Sequence, residues 1–454
     1  MTRLKNLYTP LFLILLSSPL FFYKLGQSSL VSWDEAWYGS IAKNILKSGN
    51  FFNLTFNGKP YLDHPPVGFI LQALSMKIFG VSEWSVDLPS VICGLLSILL
   101  IYLIGKKMFG RWVGIFSSLA LLSAPWFLYR ARSGNLDVPL TMFFLVTFYF
   151  CLRAKESGKF FILFILSLGL LILTKSVVPF TILPVLALML WDSKIKASRL
   201  VLGLIFLLAI LTCYVLSQIS VDPHYLNRYL GIGLPGVGTK TDYLANLKQI
   251  TAYLHSGIGK WYWPGLAGLI VGTLLFQKRL FFINLFIFLF MFPFVLSDRG
   301  QIWHLVPVFP FMILSFFGTI YAFVERFKSK LLFIPIGVVL LWSVNTIWIQ
   351  TRHDFYQFVD VTKFVSDEAI LSKESAHFSE PLKIDSDFIP AAVFYSEKVG
   401  VNQIYREALK PLLEGDERFV MITYDWRLKE LETKNYRIIK QDRDKVLIIH
   451  PAQN

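Results

Sequence analysis

Apolar residues fall in long unbroken runs through the first 350 positions, and polar residues gather between them. A helix that crosses a bilayer needs about 20 mostly apolar residues. Eleven runs are predicted spans: roughly 7–24, 88–105, 112–129, 136–152, 160–175, 177–191, 200–219, 261–277, 280–297, 302–323 and 331–350. Lys24 ends the first with no small-residue cleavage site after it, so it reads as a retained anchor. Two long stretches, 25–87 and 220–260, are too mixed in polarity to span. Past residue 351 short apolar runs (Phe419–Tyr424, Val446–His450) alternate with helix-like stretches (Tyr356–Val365, Tyr405–Leu413, Arg427–Thr433), the pattern of a small α/β domain. The predicted fold is mainly α. Residues 1–351 form a polytopic membrane helical bundle of about eleven transmembrane helices, and residues 352–454 a soluble extracytoplasmic α/β domain.

The first loop, 25–87, carries two predicted interfacial helices. Ser32 and Glu35 stand at capping-box spacing. Trp37, Tyr38, Ile41, Ala42, Ile45 and Leu46 then share one helical face, with Lys43, Asn44 and Lys47 opposite and Gly49 as the stop. This is a short amphipathic helix expected to lie on the membrane surface. Asp34 sits in its first turn, where the macrodipole favours an ionised carboxylate. Pro65 and Pro66 suit the start of a second helix running to about Phe79 and apolar nearly all round. Asp63 and His64 fall at its N-terminal end, a place that suits an anion such as phosphate.

Composition changes this picture little. Of 454 residues 55% are hydrophobic and 16% charged, well below the charge content of about 25% usual for soluble domains. The net charge of +14 divides unevenly. Residues 1–351 hold 29 Lys and Arg against 12 Asp and Glu; the tail holds 15 against 18. With the N-terminus inside, the cations of the body concentrate in alternate loops, among them Lys106, Lys107 and Arg111, and Lys194, Lys196 and Arg199. The basic excess is thus a matter of membrane topology and gives no reason to expect nucleic acid as a partner. Cys93, Cys151 and Cys213 lie in apolar runs, spaced as neither a metal motif nor a disulfide framework.

The acids carry more information. Nine of the twelve in the body fall on the outer side of this topology: Asp34, Glu35, Asp63, Glu83, Asp87, Asp137, Asp222, Asp242 and Asp298. Carboxylates do not set topology, so their gathering at one face points to chemistry or polar-ligand binding there. Arg130, Arg132, Lys175, Arg299 and His304 stand at the same boundary. Carboxylates and cations together suit a phosphorylated substrate and a proton-accepting base.

Asp34-Glu35 before Tyr38, then Asn57-Gly58-Lys59-Pro60-Tyr61 and Asp63-His64-Pro65-Pro66, resemble the first-loop pattern of polytopic lipid-linked-sugar transferases. That superfamily includes protein O-mannosyltransferases, lipid A aminoarabinose transferases and their bacterial and archaeal relatives. Gly134-Asn135-Leu136-Asp137, Leu173-Thr174-Lys175-Ser176 and His304-Leu305-Val306-Pro307-Val308-Phe309-Pro310 extend the resemblance over about residues 1–350. It implies a membrane glycosyltransferase of GT-C type with a polyprenyl-phosphate sugar as donor and a lipid, glycan or protein as acceptor, at the outer face of the plasma membrane. Asp34 then aligns with the general base, with Glu35 beside it, and Asp137 with a second acid. Tyr38 and Tyr61 align with tyrosines of the cavity. Lys59, His64, Arg130, Arg132, Lys175, Arg228, Arg299 and His304 are candidates for the donor and its phosphate. His224 and Arg228 resemble a histidine–arginine pair that contacts metal or phosphate, and a divalent metal at Asp63 with His224 stays open. Aminoarabinose transferases carry Glu-Lys-Pro-Pro where this chain has Asp63-His64-Pro65-Pro66, which weakens the tie to that branch. The competing reading is a transporter or flippase of lipid-linked sugars. It does not explain a long first loop with two surface helices.

Overall fold

The computed structural model describes residues 2–30, 33–193, 195–233, 242–297, 300–327, 337–338, 341–342, 345, 365–385, 389–431 and 435–451. The chain divides into two compact units. One comprises Met1–Tyr23, Leu62–Gly68 and Leu88–Asp354, the other Lys24–Tyr61, Phe69–Asp87 and Phe355–Asn454. Most of the first loop, Lys24–Tyr61 and Phe69–Asp87, therefore shares a unit with the tail.

The first unit is helical. The helices in chain order are α1 (Thr2–Phe22), α2 to α4 in and after the loop (Asp34–Ser48, Val67–Phe79, Glu83–Met108), α5 (Arg111–Leu122), α6 (Pro125–Arg130), α7 (Asp137–Arg153) and α8 (Gly158–Ile172). There follow α9 (Leu183–Asp192), α10 (Ala197–Ile219), α11 (Tyr225–Gly233), α12 (Tyr243–Ile258), α13 (Tyr262–Leu274), α14 (Lys278–Leu296) and α15 (Phe309–Phe327). Of these, α2 and most of α3 belong to the second unit.

Among the described residues four stretches have the length and apolarity of a span: Glu83–Met108, Ala197–Ile219, Lys278–Leu296 and Ile302–Arg326. Eleven were expected; two of the remaining runs are broken locally and one falls almost wholly outside the described residues. Pro125 breaks the third run into α5 and α6. The sixth run opens as a 3₁₀ turn, Val178–Ile182, before α9. The eleventh, 331–350, lies almost wholly outside the described residues.

Between helices that already sit in hydrocarbon, packing rather than water exclusion holds the bundle. Phe144, Phe148, Phe286, Phe290 and Phe311 are all fully buried and meet where α7, α14 and α15 converge, with Phe286 and Phe311 4.3 Å apart between ring centres. On α13 small residues let a neighbour come close. A Cβ at Gly268 would lie 2.5 Å from backbone atoms of Phe316 on α15.

The second unit joins loop and tail. A five-stranded sheet in the order β4-β3-β5-β7-β6 is built from β3 (Leu382–Asp385), β4 (Asn402–Ile404), β5 (Phe419–Tyr424), β6 (Arg437–Asp442) and β7 (Lys445–His450). β3 runs parallel to β4 and β5, and the β5–β7 and β6–β7 pairs are antiparallel. Alternation splits β5 between two cores: Val420 and Ile422 face one, Phe419 and Met421 the other. The two apolar runs of the tail thus became β5 and β7, while β3, β4 and β6 were not foreseen.

Helix α2 differs from its expected form. It begins at Asp34, with Trp33 as N-cap and no side-chain cap bond, so Glu35 stands one place short of the capping-box position. Ser32 lies outside the described residues. Gly49 ends the helix in the left-handed conformation, as the pattern required. Its predicted solvent face is in part buried. Lys43 donates to the Phe394 carbonyl at 3.1 Å, pairs with Glu397 at 2.7 Å and lies over the Phe394 ring. The tail helix Ile389–Ser396 covers the face that sequence assigned to water. Asn57-Gly58 makes a tight hairpin with positive φ at both residues, joining β1 (Thr55–Phe56) to β2 (Lys59–Pro60). The Asn57 side chain exchanges two hydrogen bonds with the Val401 backbone, at 2.8 and 2.9 Å.

Gly268→Leu forces α13 and α15 apart and is expected to cost roughly 1–3 kcal/mol. Gly158, whose Cβ would meet nothing within 4 Å, is the control. Thermal unfolding in detergent of Gly268→Leu and Gly158→Ala reads the difference.

Candidate functional site

The helical unit carries a buried ionic cluster centred on Asp137. This carboxylate opens α7 and is 2% exposed; Arg130 and Lys175 beside it are 9% and 8% exposed. One oxygen accepts from Arg130 Nη2 at 2.8 Å, the other from Lys175 Nζ at 2.5 Å. Two cations on one carboxylate leave the cluster with an excess positive charge, and each pairing is charge-assisted.

Local structure fixes each member. Asn135 Oδ1 accepts from the backbone N–H of Asp137 and of Val138, at 2.8 and 3.0 Å, which satisfies the first orphan donors of α7. Its amide donates to the carbonyls of Arg130 and Ser133, drawing the α6 end toward the α7 start. Arg130 also lies over the Trp303 ring at 5.8 Å, and Trp303 stacks on Trp126. Trp303 and Asn135 in these roles are what the sequence reading missed. The signal available for Asn135 was its place two residues before a helix-opening acid.

The Asp63–Gly68 segment is wedged against the same place. Val67 N–H donates to the Leu173 carbonyl at 3.0 Å, beside Thr174-Lys175. A Cβ on Gly68 would fall 2.2 Å from the Cδ2 of Leu136, so a larger residue here would push the Leu136 side chain aside at the α7 start. The result is a cavity of about 120 Å³ lined by His64, Lys175, Ser176, Thr181, Ser297 and His304 with apolar neighbours. His304, on the 3₁₀ segment Ile302–Val308, stacks on Phe294 of the cavity wall. Burial, and then the positive charges of Lys175 and His304, push the His64 imidazole down to about 3 against a weaker upward pull from Asp137. His64 is therefore neutral at physiological pH and works as a hydrogen-bonding group.

The other sequence candidates lie elsewhere. Arg228 on α11 pairs with Asp63 at 3.2 Å, both half-exposed. His224 is exposed, its backbone N–H held by Asp222 at 2.8 Å. Among the described residues no group of three or more His, Cys, Asp or Glu could hold a metal ion. Asp63 is engaged by Arg228. Arg132 donates to the Leu20 and Tyr23 carbonyls at the end of α1 instead of entering the cavity. Arg299 lies outside the described residues. In the second unit, Asp34 and Glu35 are partly exposed in the first turn of α2, and Lys59 is exposed on the hairpin. Tyr38 and Tyr61 are buried edge-on against Phe69, at 5.3 and 5.6 Å.

His64 binds a proton near pH 6.5 when unfolded but only near 3 when folded, so between these values the unfolded chain holds the extra proton. Stability from this source is present above about 6.5 and falls as the pH drops. His64→Asn should flatten that part of the curve of melting temperature against pH. Asp137→Ala leaves two buried cations without their counter-charge and is expected to cost about 3–5 kcal/mol by thermal unfolding.

Residues 63–217, the segment that holds Asp63, His64, Arg130, Asp137 and Lys175, match the family model described as dolichyl-phosphate-mannose-protein mannosyltransferase. A putative mannosyltransferase of Bacillus subtilis, YkcB, is 31% identical over 233 residues, 49% of this chain and 32% of that protein. An undecaprenyl phosphate-alpha-4-amino-4-deoxy-L-arabinose arabinosyl transferase of Pseudomonas aeruginosa is 32% identical over 209 residues, 42% of this chain and 37% of that protein. The chain thus spans about a third of the length of the curated relatives it matches. The fold is similar along the whole chain to that of ArnT from Cupriavidus metallidurans in the apo state, with a TM-score of 0.72, 16% identity and 97% of each chain covered. Residues 63–217 thus resemble the dolichyl-phosphate-mannose-protein mannosyltransferase family, and the chain along its length shares the fold of ArnT.

Proposed function

We propose that the chain is a membrane glycosyltransferase that moves a sugar from a polyprenyl-phosphate donor to a lipid, glycan or protein acceptor. The observation that carries this reading is the buried Asp137–Arg130–Lys175 cluster beside a cavity edged by His64 and His304, inside the segment that matches the mannosyltransferase family. Its excess positive charge and its neutral imidazole suit a phosphate. Relatives named for undecaprenyl-phosphate sugars, and the Cupriavidus ArnT structure bound to undecaprenyl phosphate, support the same donor class.

In this reading the bond from the sugar's anomeric carbon to the phosphate oxygen breaks, and its electron pair leaves with the phosphate. Lys175 stabilises that leaving charge. The acceptor hydroxyl attacks the same carbon and gives its proton to Asp34 as general base, with Glu35 raising its basicity by like charge. A single displacement inverts the anomeric centre. Asp137 acts through Arg130 and Lys175, as their counter-charge. The site faces the outer side of the plasma membrane, with 1–351 as the transferase domain and 352–454 outside.

The test is sugar transfer in proteoliposomes supplied with an undecaprenyl-phosphate sugar. Asp34→Asn should lower kcat by about 100-fold or more. Transfer at near wild-type rate would remove Asp34 from the base role. Lys175→Ala should raise the donor KM more than the acceptor KM; equal effects on both would take the phosphate away from Lys175.

A further inference from the structure

The helical unit contains a second, much larger cavity that the transfer reaction does not use. About 930 Å³ of open space lies between α9, α13 and α14. This is within the range of about 300–1,000 Å³ typical of pockets that enclose a small ligand. Its walls are apolar: Leu188, Ile270, Leu274, Phe281 and Phe288 line it and are between 45% and 67% exposed. The polar groups at its floor are turned onto one another. Asn284 donates to Thr273 Oγ1 at 3.0 Å and accepts from Ser315 Oγ at 2.6 Å. A wall of this kind takes hydrocarbon.

Among the described residues the mouth carries one ion pair, Lys278 with Asp192, both partly exposed. The neighbouring Arg279 is directed elsewhere, donating to the Met108 carbonyl at 2.6 Å. Among the described residues that line it, the charge at the mouth is therefore balanced. An anionic headgroup gains one attraction and meets one repulsion there. A zwitterionic headgroup can take both halves of the pair, its phosphate on the Lys278 ammonium and its own ammonium on the Asp192 carboxylate. A bilayer supplies such a molecule, with a chain to fill the groove behind it.

We propose that this groove is a phospholipid site selective for a zwitterionic ethanolamine headgroup, with one acyl chain along α13 and α14 and the headgroup at Asp192 and Lys278. The site is distinct from the donor cavity, with which it shares no lining residue.

The experiment uses the full chain in nanodiscs of equal phosphatidylethanolamine and phosphatidylglycerol, released into the gas phase for native mass spectrometry. The wild type should retain phosphatidylethanolamine over phosphatidylglycerol. The double variant Asp192→Asn, Lys278→Gln should lose about fivefold of that preference, the scale of an exposed ion pair. Leu274→Trp should lower retention of both lipids, and Ile270→Trp replaces it if its melting temperature shows misfolding. Equal retention of the two lipids by the wild type, or a preference unchanged in the double variant, would overturn the proposal. Retention of an isoprenoid phosphate in place of phospholipid would overturn it too, by making the groove part of the donor site. A benzophenone side chain at position 270 distinguishes the remaining occupant: crosslinks to lipid support the proposal, and crosslinks to residues 331–350 of the same chain overturn it.

Discussion

The helical unit is organised around one buried carboxylate. Asp137 is almost fully enclosed, and so are the two cations on it. Removing three charges from water costs several kcal/mol per ion unless geometry and hydrogen bonds are nearly complete. That demand explains the surroundings. Asn135 closes the start of α7 and ties it to α6, Gly68 makes room against Leu136, and the Val67–Leu173 bond sets the Asp63–Gly68 segment beside Lys175. Each contact serves to hold the cluster, and together they leave a small polar cavity at its edge.

Charge and position divide the work at this cavity. Lys175 carries a fixed positive charge, while His64 is held neutral by burial and by the cations near it. A neutral imidazole can donate or accept at a phosphate or sugar hydroxyl without adding to local repulsion.

The first loop shows where pattern reading fails. Its helical period, its glycine stop and the Asn57-Gly58 turn are local properties and were legible in the chain. The fate of its polar face was not. Lys43 lies on the side that periodicity gives to solvent, yet it is buried against Phe394 and Glu397, more than 350 residues away. A lysine stem is long and apolar enough to be covered by a neighbour while its ammonium finds a carbonyl and a carboxylate. The same limit applies to Arg132, whose place at a boundary suggested a ligand and whose guanidinium instead holds the last carbonyls of α1.

Sequence by itself determined the helical character of the body, the α/β character of the tail with two of its strands, and the set of ionisable residues gathered near one boundary. These follow from periodicity and composition, which act over a few turns of chain. It also carried the first-loop and α7 motifs that resemble those of lipid-linked-sugar transferases. Only the tertiary structure decided that Asp137 takes both Arg130 and Lys175, that Asp63 takes Arg228, and that most of the loop forms one compact unit with the tail. Those outcomes depend on which segments meet in space. An ion pair or a glycine contact is chosen there by distances of a few ångströms that no local pattern encodes.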